Sequence, residues 1–89
     1  MRELRWTEWS EEHIAGHAVT PSEVEEVLYS HPRLRKSGRE SSVLVYGTTD
    51  AGRHLLVVLG EDDIGGTSFV VTARPMTAKE KRQFTRRGM

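Results

Sequence analysis

Three apolar runs lie close together in the second half of the chain and limit its fold more than any other feature. They are Ser42 to Thr48 (SVLVYGT), Arg53 to Gly60 (RHLLVVLG) and Thr67 to Arg74 (TSFVVTAR). β-Branched and aromatic residues dominate them, as a pleated and half-buried surface requires. Asp50-Ala51-Gly52 reads as a tight turn, and Glu61 to Gly66 (EDDIGG) as a short polar loop. Gly65-Gly66 has no P-loop context and reads as part of that turn. Parallel strands need crossovers of about a dozen residues or more, so connections this short imply an antiparallel meander. Arg33 to Lys36 adds a short edge strand after the break at Ser30-His31-Pro32, with a turn at Ser37-Gly38-Arg39-Glu40. The sheet then has three or four strands, with Arg53 to Gly60 at its centre.

Helix signals flank the sheet. Ser10 is a candidate N-cap, with Glu11 and Glu12 in the first turn and Trp9 placed to staple onto Ile14, for a helix from Glu11 to His17. Thr20-Pro21-Ser22-Glu23 is a capping box with proline at N1, and Val24, Val27 and Leu28 follow as an apolar stripe. Thr77-Ala78-Lys79-Glu80 opens a third, mostly basic helix that runs to about Arg87. Met76, Ala78 and Phe84 are its apolar contacts. The fold class is α+β, with two N-terminal helices, an antiparallel three- to four-stranded sheet and a C-terminal basic helix, in a single domain over residues 1–89.

The chain has no cysteine, which excludes a disulfide scaffold and thiolate metal sites. No apolar run approaches the roughly 20 residues that span a bilayer, and MRELRWTEWS holds no secretory signal, so the expected setting is cytoplasmic with no membrane partner. The formal net charge of +0 conceals segregation. Residues 1–30 carry two basic and seven acidic groups, whereas residues 74–89 carry six basic groups and one acidic. The basic end suits phosphates or an acidic partner.

Three stretches, in order, resemble BrnT-type toxins of type II toxin–antitoxin systems. The first is Trp9-x-x-x-His13-x-x-x-His17-x-Val19 with Glu23-Val24-Glu25-Glu26-Val27. The second is Tyr46-Gly47-x-Thr49-x-x-Gly52-Arg53-x-Leu55-x-Val57-Val58. The third is Thr72-Ala73-Arg74-Pro75-Met76-Thr77-x-x-Glu80-x-x-x-Phe84. The likeness spans roughly residues 6–87. It implies a RelE-like fold and a small metal-independent ribonuclease, held in check by a companion antitoxin, with RNA as substrate and no cofactor. Self-association into a homodimer is left open.

Such cleavage needs a base for the 2′-OH, cations for the dianionic phosphorane and an acid for the leaving oxygen. Arg53, Arg74, His17 and Glu80 are the catalytic candidates, and Lys79, Arg82, Tyr46 and His54 the RNA- and phosphate-binding ones. Arg53 begins one strand and Arg74 ends the next, so an antiparallel pairing brings them to the same sheet end, where Lys79 and Arg82 complete a cationic face. The alternative is that these arginines pair with Glu40 or Asp50, or lie solvated. Tyr46 suits base stacking or a hydrogen bond, and His17, His54 and Glu80 suit proton transfer, His17 through the resemblance. For His13 and His17, metal binding requires a third protein ligand that the pattern does not supply, so the pair reads first as packing and capping near a helix C-terminus. The rival to the ribonuclease is a non-catalytic protein- or nucleic-acid-binding module on the same scaffold.

Overall fold

The apolar runs pair in sequence order, as short connections demand. The computed structural model describes residues 4–6, 8–30, 33–38, 42–61 and 68–87. The connection over 62–67 with its Gly65-Gly66, His31-Pro32, and the Arg39-Glu40 half of the expected turn lie outside the described residues. The elements are β1 (Leu4–Arg5), α1 (Glu8–Ala15), α2 (Pro21–Tyr29), β2 (Leu34–Ser37), β3 (Val43–Thr48), β4 (His54–Glu61), β5 (Ser68–Pro75) and α3 (Ala78–Arg87). The sheet order is β1-β5-β4-β3-β2. β2 to β5 form the antiparallel meander, with β4 central. β1 is an addition to the expected set; its two residues pair parallel with Ser68 and Phe69 of β5.

Strand alternation splits the apolar residues between two faces. One face presents Val45, Leu55, Val57, Leu59, Val70 and Ala73 to Ile14, Val19, Val24, Val27 and Leu28 of the α1–α2 layer. The other presents Tyr46 and Leu56 to Met76 and Phe84 beside and within α3, with Leu34, Leu44 and Val58 at the margin. β4 is apolar at consecutive positions because both its faces are covered. A register shift explains why Ala73 and Val70 share a core despite their odd spacing. Val58 pairs with Thr72 but Leu59 pairs with Val70, so Val71 is the extra residue of a β-bulge.

Gly47 sets the distance between α2 and β3. A Cβ there would lie 2.8 Å from Ser30 Oγ, 3.0 Å from Val27 Cγ1 and 3.1 Å from the Val27 carbonyl oxygen. Only glycine lets the end of α2 come this close. The α2 capping box is present as expected: Glu23 N–H donates to Thr20 Oγ1 at 3.2 Å, and Thr20 N–H donates to Glu23 Oε1 at 3.0 Å. α3 repeats it with Thr77 and Glu80, at 3.2 and 2.8 Å. α3 is otherwise almost wholly polar and is held down by burial of Phe84 and Met76, worth roughly 1.5–3 kcal/mol each.

α1 departs from expectation at both ends. It begins at Glu8, so Ser10 is a helical residue and not the N-cap, and Trp9 is inside the helix instead of at N′. It ends at Ala15, which leaves His17 outside. The Val19 N–H donates to the Ile14 carbonyl at 3.0 Å and the Ala18 N–H to the Ala15 carbonyl at 3.0 Å. These are the two bonds of a Schellman termination. Ala18 occupies its left-handed position at φ 58°. Ile14 and Val19, the apolar pair that accompanies this motif, are both buried.

Candidate functional site

The strand register aligns Leu34, Tyr46, Leu56 and Arg74 in one row across β2 to β5. His54, two residues before Leu56, is on the same face. Tyr46, His54 and Arg74 therefore share the side of the sheet that α3 covers. The His54 ring meets Phe84 edge-on, with centroids 5.8 Å apart and planes at 80°.

Arg74 is anchored to the start of α3. Its Nη1 donates to Glu80 Oε1 at 2.8 Å and its Nη2 to Glu80 Oε2 at 2.9 Å; Nη1 also reaches the Pro75 carbonyl at 3.1 Å. Glu80 accepts these bonds while closing the α3 capping box, so a single carboxylate fixes both the helix start and the arginine. The Arg74 hydrogen bond holds the Glu80 carboxyl below its ordinary range, against the opposing effect of burial and with help from the Thr77 N–H. The same bond pushes the Arg74 guanidinium up. Glu80 is thus an anion of low basicity, and the expected proton-transfer role gives way to one of holding Arg74. Burial, reinforced by the Glu80 charge, raises the Tyr46 phenol. It stays protonated as a hydrogen-bond donor.

A guanidinium has five N–H donors. Glu80 takes the end-on pair and Pro75 a third. The remaining side-on fork, Nε–H and the second Nη2–H, meets no acceptor among the described residues. The Arg74 side chain is 34% exposed, and its partnerless Nε is not a buried atom, so this fork is within reach of solvent. It has the planar, two-pronged form that binds phosphate or carboxylate.

Arg53 reaches the same end of the sheet but serves the other face. Its Nη1 donates to Glu23 Oε2 at 2.7 Å and to the Ala18 carbonyl at 3.0 Å. Its N–H donates to Thr49 Oγ1 at 3.0 Å, across a turn that Gly52 closes at φ 93°. The single cationic site expected of Arg53 and Arg74 is therefore not formed, because each guanidinium pairs with the capping-box glutamate of the helix on its own face. The expected alternative partners need the same correction: they are Glu23 and Glu80 and not Asp50, while Glu40 lies outside the described residues. The Asp50 N–H instead donates to Glu26 Oε1 at 3.1 Å.

Lys79 and Arg82 are exposed and, with Arg86, recur at i, i+3 and i+7 along α3. Glu80 and Phe84 define the opposite, sheet-facing side. The basic stripe thus faces away from the sheet and does not close over Arg74. His17 is exposed in the turn after α1, its ring edge-on to His13 at 5.7 Å, in the layer across the sheet from Arg74. It joins neither Arg74 nor His54. Among the described residues no group of three or more His, Asp or Glu side chains is arranged to hold a metal ion, and no helix is long and apolar enough to cross a membrane.

Tyr46 is only 8% exposed, so it offers no open face for a stacked base and the stacking role does not hold. Lys36 lies over its ring, with Nζ 5.6 Å from the centroid. Sequence reasoning passed over Lys36. The signal was its alternation with Leu34 in β2, which puts both on the Tyr46 face once β2 pairs with β3. Searches against models of known protein families and against curated proteins find no match to this chain.

Proposed function

We propose that the chain is a metal-independent ribonuclease toxin of the BrnT type, on a RelE-like fold, that cuts RNA by 2′-OH attack and is neutralised by a companion antitoxin in the cytoplasm. The observation that carries this reading is the open side-on fork of Arg74, held rigid by Glu80 on a face shared with His54 and Tyr46. The ordered resemblance of the three sequence stretches supports it independently.

In this mechanism the Arg74 fork grips the non-bridging oxygens of the scissile phosphate. The 2′ oxygen bonds to phosphorus and gives its proton to His54. The bond from phosphorus to the 5′ oxygen breaks, and that oxygen takes a proton from water, leaving a cyclic phosphate and a free 5′-OH. Charge grows on the non-bridging oxygens, where a preorganised guanidinium helps most. Glu80 positions Arg74, and the Tyr46 phenol donates to the same charge. Lys79, Arg82 and Arg86 draw the RNA towards the domain from α3's outer face.

A second reading is a non-catalytic binding module. It is favoured by the pairing of Arg53 and Arg74 with carboxylates. Cleavage of a mixed-sequence RNA in EDTA separates the two. The ribonuclease reading expects cutting by wild type, loss in folded Arg74→Ala and His54→Ala, and retention in Arg53→Met. Absence of cutting by wild type alone and with ribosomes would overturn it.

A further inference from the structure

The face that carries Arg74 is only partly roofed. Met76 and Phe84 cover the Tyr46–Leu56 region, while Leu34, Leu44 and Val58 keep partial exposure. Lys36 stands on this half-open part. Its backbone pairs with Leu44, one row beyond the Leu34–Tyr46 pair, and its chain turns back so that the ammonium sits over the Tyr46 ring. Arg35, its neighbour, is directed to the opposite side by strand alternation. Arg74 approaches the same phenol from β5, two strands away from β3. Strands stand about 4.8 Å apart and the two residues are also offset by two residues along the strands, about 6.8 Å, so the backbone positions of Lys36 and Arg74 are separated by roughly 16 Å. Two cations thus bracket one buried tyrosine on a half-open sheet face.

The ammonium is not needed to keep water from Tyr46, which Leu56 and α3 already bury. Lys36 is itself half-buried. Its three N–H donors suit a phosphate taken as a point charge, whereas Arg74 takes one through a planar fork.

We propose that Lys36 and the open fork of Arg74 form a two-cation subsite across Tyr46 that holds adjacent phosphates of one single-stranded RNA, Lys36 taking the phosphate next to the one at Arg74. The inference rests on the ribonuclease reading for its substrate class, but it concerns binding and not cleavage. It makes β2 part of the RNA track, and the strand crosses the sheet from β5 towards β2 instead of following α3.

The test is a binding titration with a short single-stranded 2′-O-methyl RNA, which cannot be cut by 2′-OH attack, over a range of salt concentrations. Each single-strand phosphate contact contributes about 0.7 to the slope of log affinity against log salt. Lys36→Gln keeps most of the packing stem and removes the charge. Its slope is expected to be shallower than wild type by about 0.7, so that its affinity falls about 2.6-fold less for a fourfold rise in salt. Lys36→Arg is expected to restore the slope. Circular dichroism and thermal unfolding confirm that both variants fold. An unchanged slope in folded Lys36→Gln, or no binding by wild type, overturns the subsite. Lys36-dependent binding without cutting of unmodified RNA sinks the ribonuclease reading and leaves the subsite standing.

Discussion

Ala18 stands at the left-handed position that ends α1, with φ 58°. An L-residue there brings its Cβ close to the following carbonyl, at a cost of roughly 1–2 kcal/mol. Glycine removes that cost but has a more flexible unfolded chain, which returns about 0.4–1 kcal/mol. Ala18 is exposed, so its methyl contributes no core packing. Its carbonyl, which receives Arg53, belongs to the backbone and survives substitution. Ala18→Gly is therefore expected to stabilise the fold by about 0.5–1 kcal/mol. Unfolding entropy near 2.1 cal/mol/K per residue, applied to the 89 residues, converts this to a rise in Tm of about 3–5 °C. Thermal unfolding followed by circular dichroism reads it directly. Ala18→Val is the control, because a β-branched residue at this φ is worse than alanine and must lower Tm. An unchanged or lower Tm in Ala18→Gly would refute the account of how α1 ends.

Three further outcomes follow from the same geometry. Glu80 has a folded pKa below its ordinary value of 4.5, so its folded form holds fewer protons than the unfolded chain in acid. Its contribution is complete above that value and is lost as pH falls through the folded pKa. The Tm gap between wild type and Glu80→Gln should accordingly be widest at neutral pH and close towards acid, and a gap constant with pH would contradict the pairing. Gly47→Ala drives a methyl against Ser30 and the Val27 carbonyl and should cost about 1–3 kcal/mol in a urea titration. Thr72 Oγ1 is buried without a hydrogen-bond partner among the described residues, so Thr72→Val should match wild type or exceed it by up to about 1 kcal/mol, and a clear loss would reveal a partner for that hydroxyl.

The meander was legible because its signals are local: three β-rich runs, the turn at Asp50-Ala51-Gly52 and two capping boxes all lie within short windows. The ends of α1 were misjudged for a related reason. Ser10 and the glutamates after it resemble a helix start, but the helix extends back to Glu8, and its end is set by Ile14 and Val19 packing into the core. The Arg53–Glu23 pair joins residues 30 apart in sequence, so charge spacing alone could name the arginine but not its partner. The Arg74–Glu80 pair is only six apart, yet both residues carried more attractive catalytic readings. Lys36 was hidden because its relation to Tyr46 appears only once the β2–β3 register is known. β1 gave no warning, since two residues carry no alternation to recognise.

That smallest strand governs the order in which the molecule can be completed. Leu4 and Arg5 pair with Ser68 and Phe69, across most of the chain. On a ribosome, β1 waits for β5, the last of the described strands, before it has a neighbour. Contacts this distant in sequence slow folding, because the intervening chain must be ordered before they form. Newly made molecules should therefore pass through a stage in which the meander is assembled and the outer edge of β5 is still bare. A segment from another molecule could pair with Ser68 and Phe69 on that edge only before β1 docks.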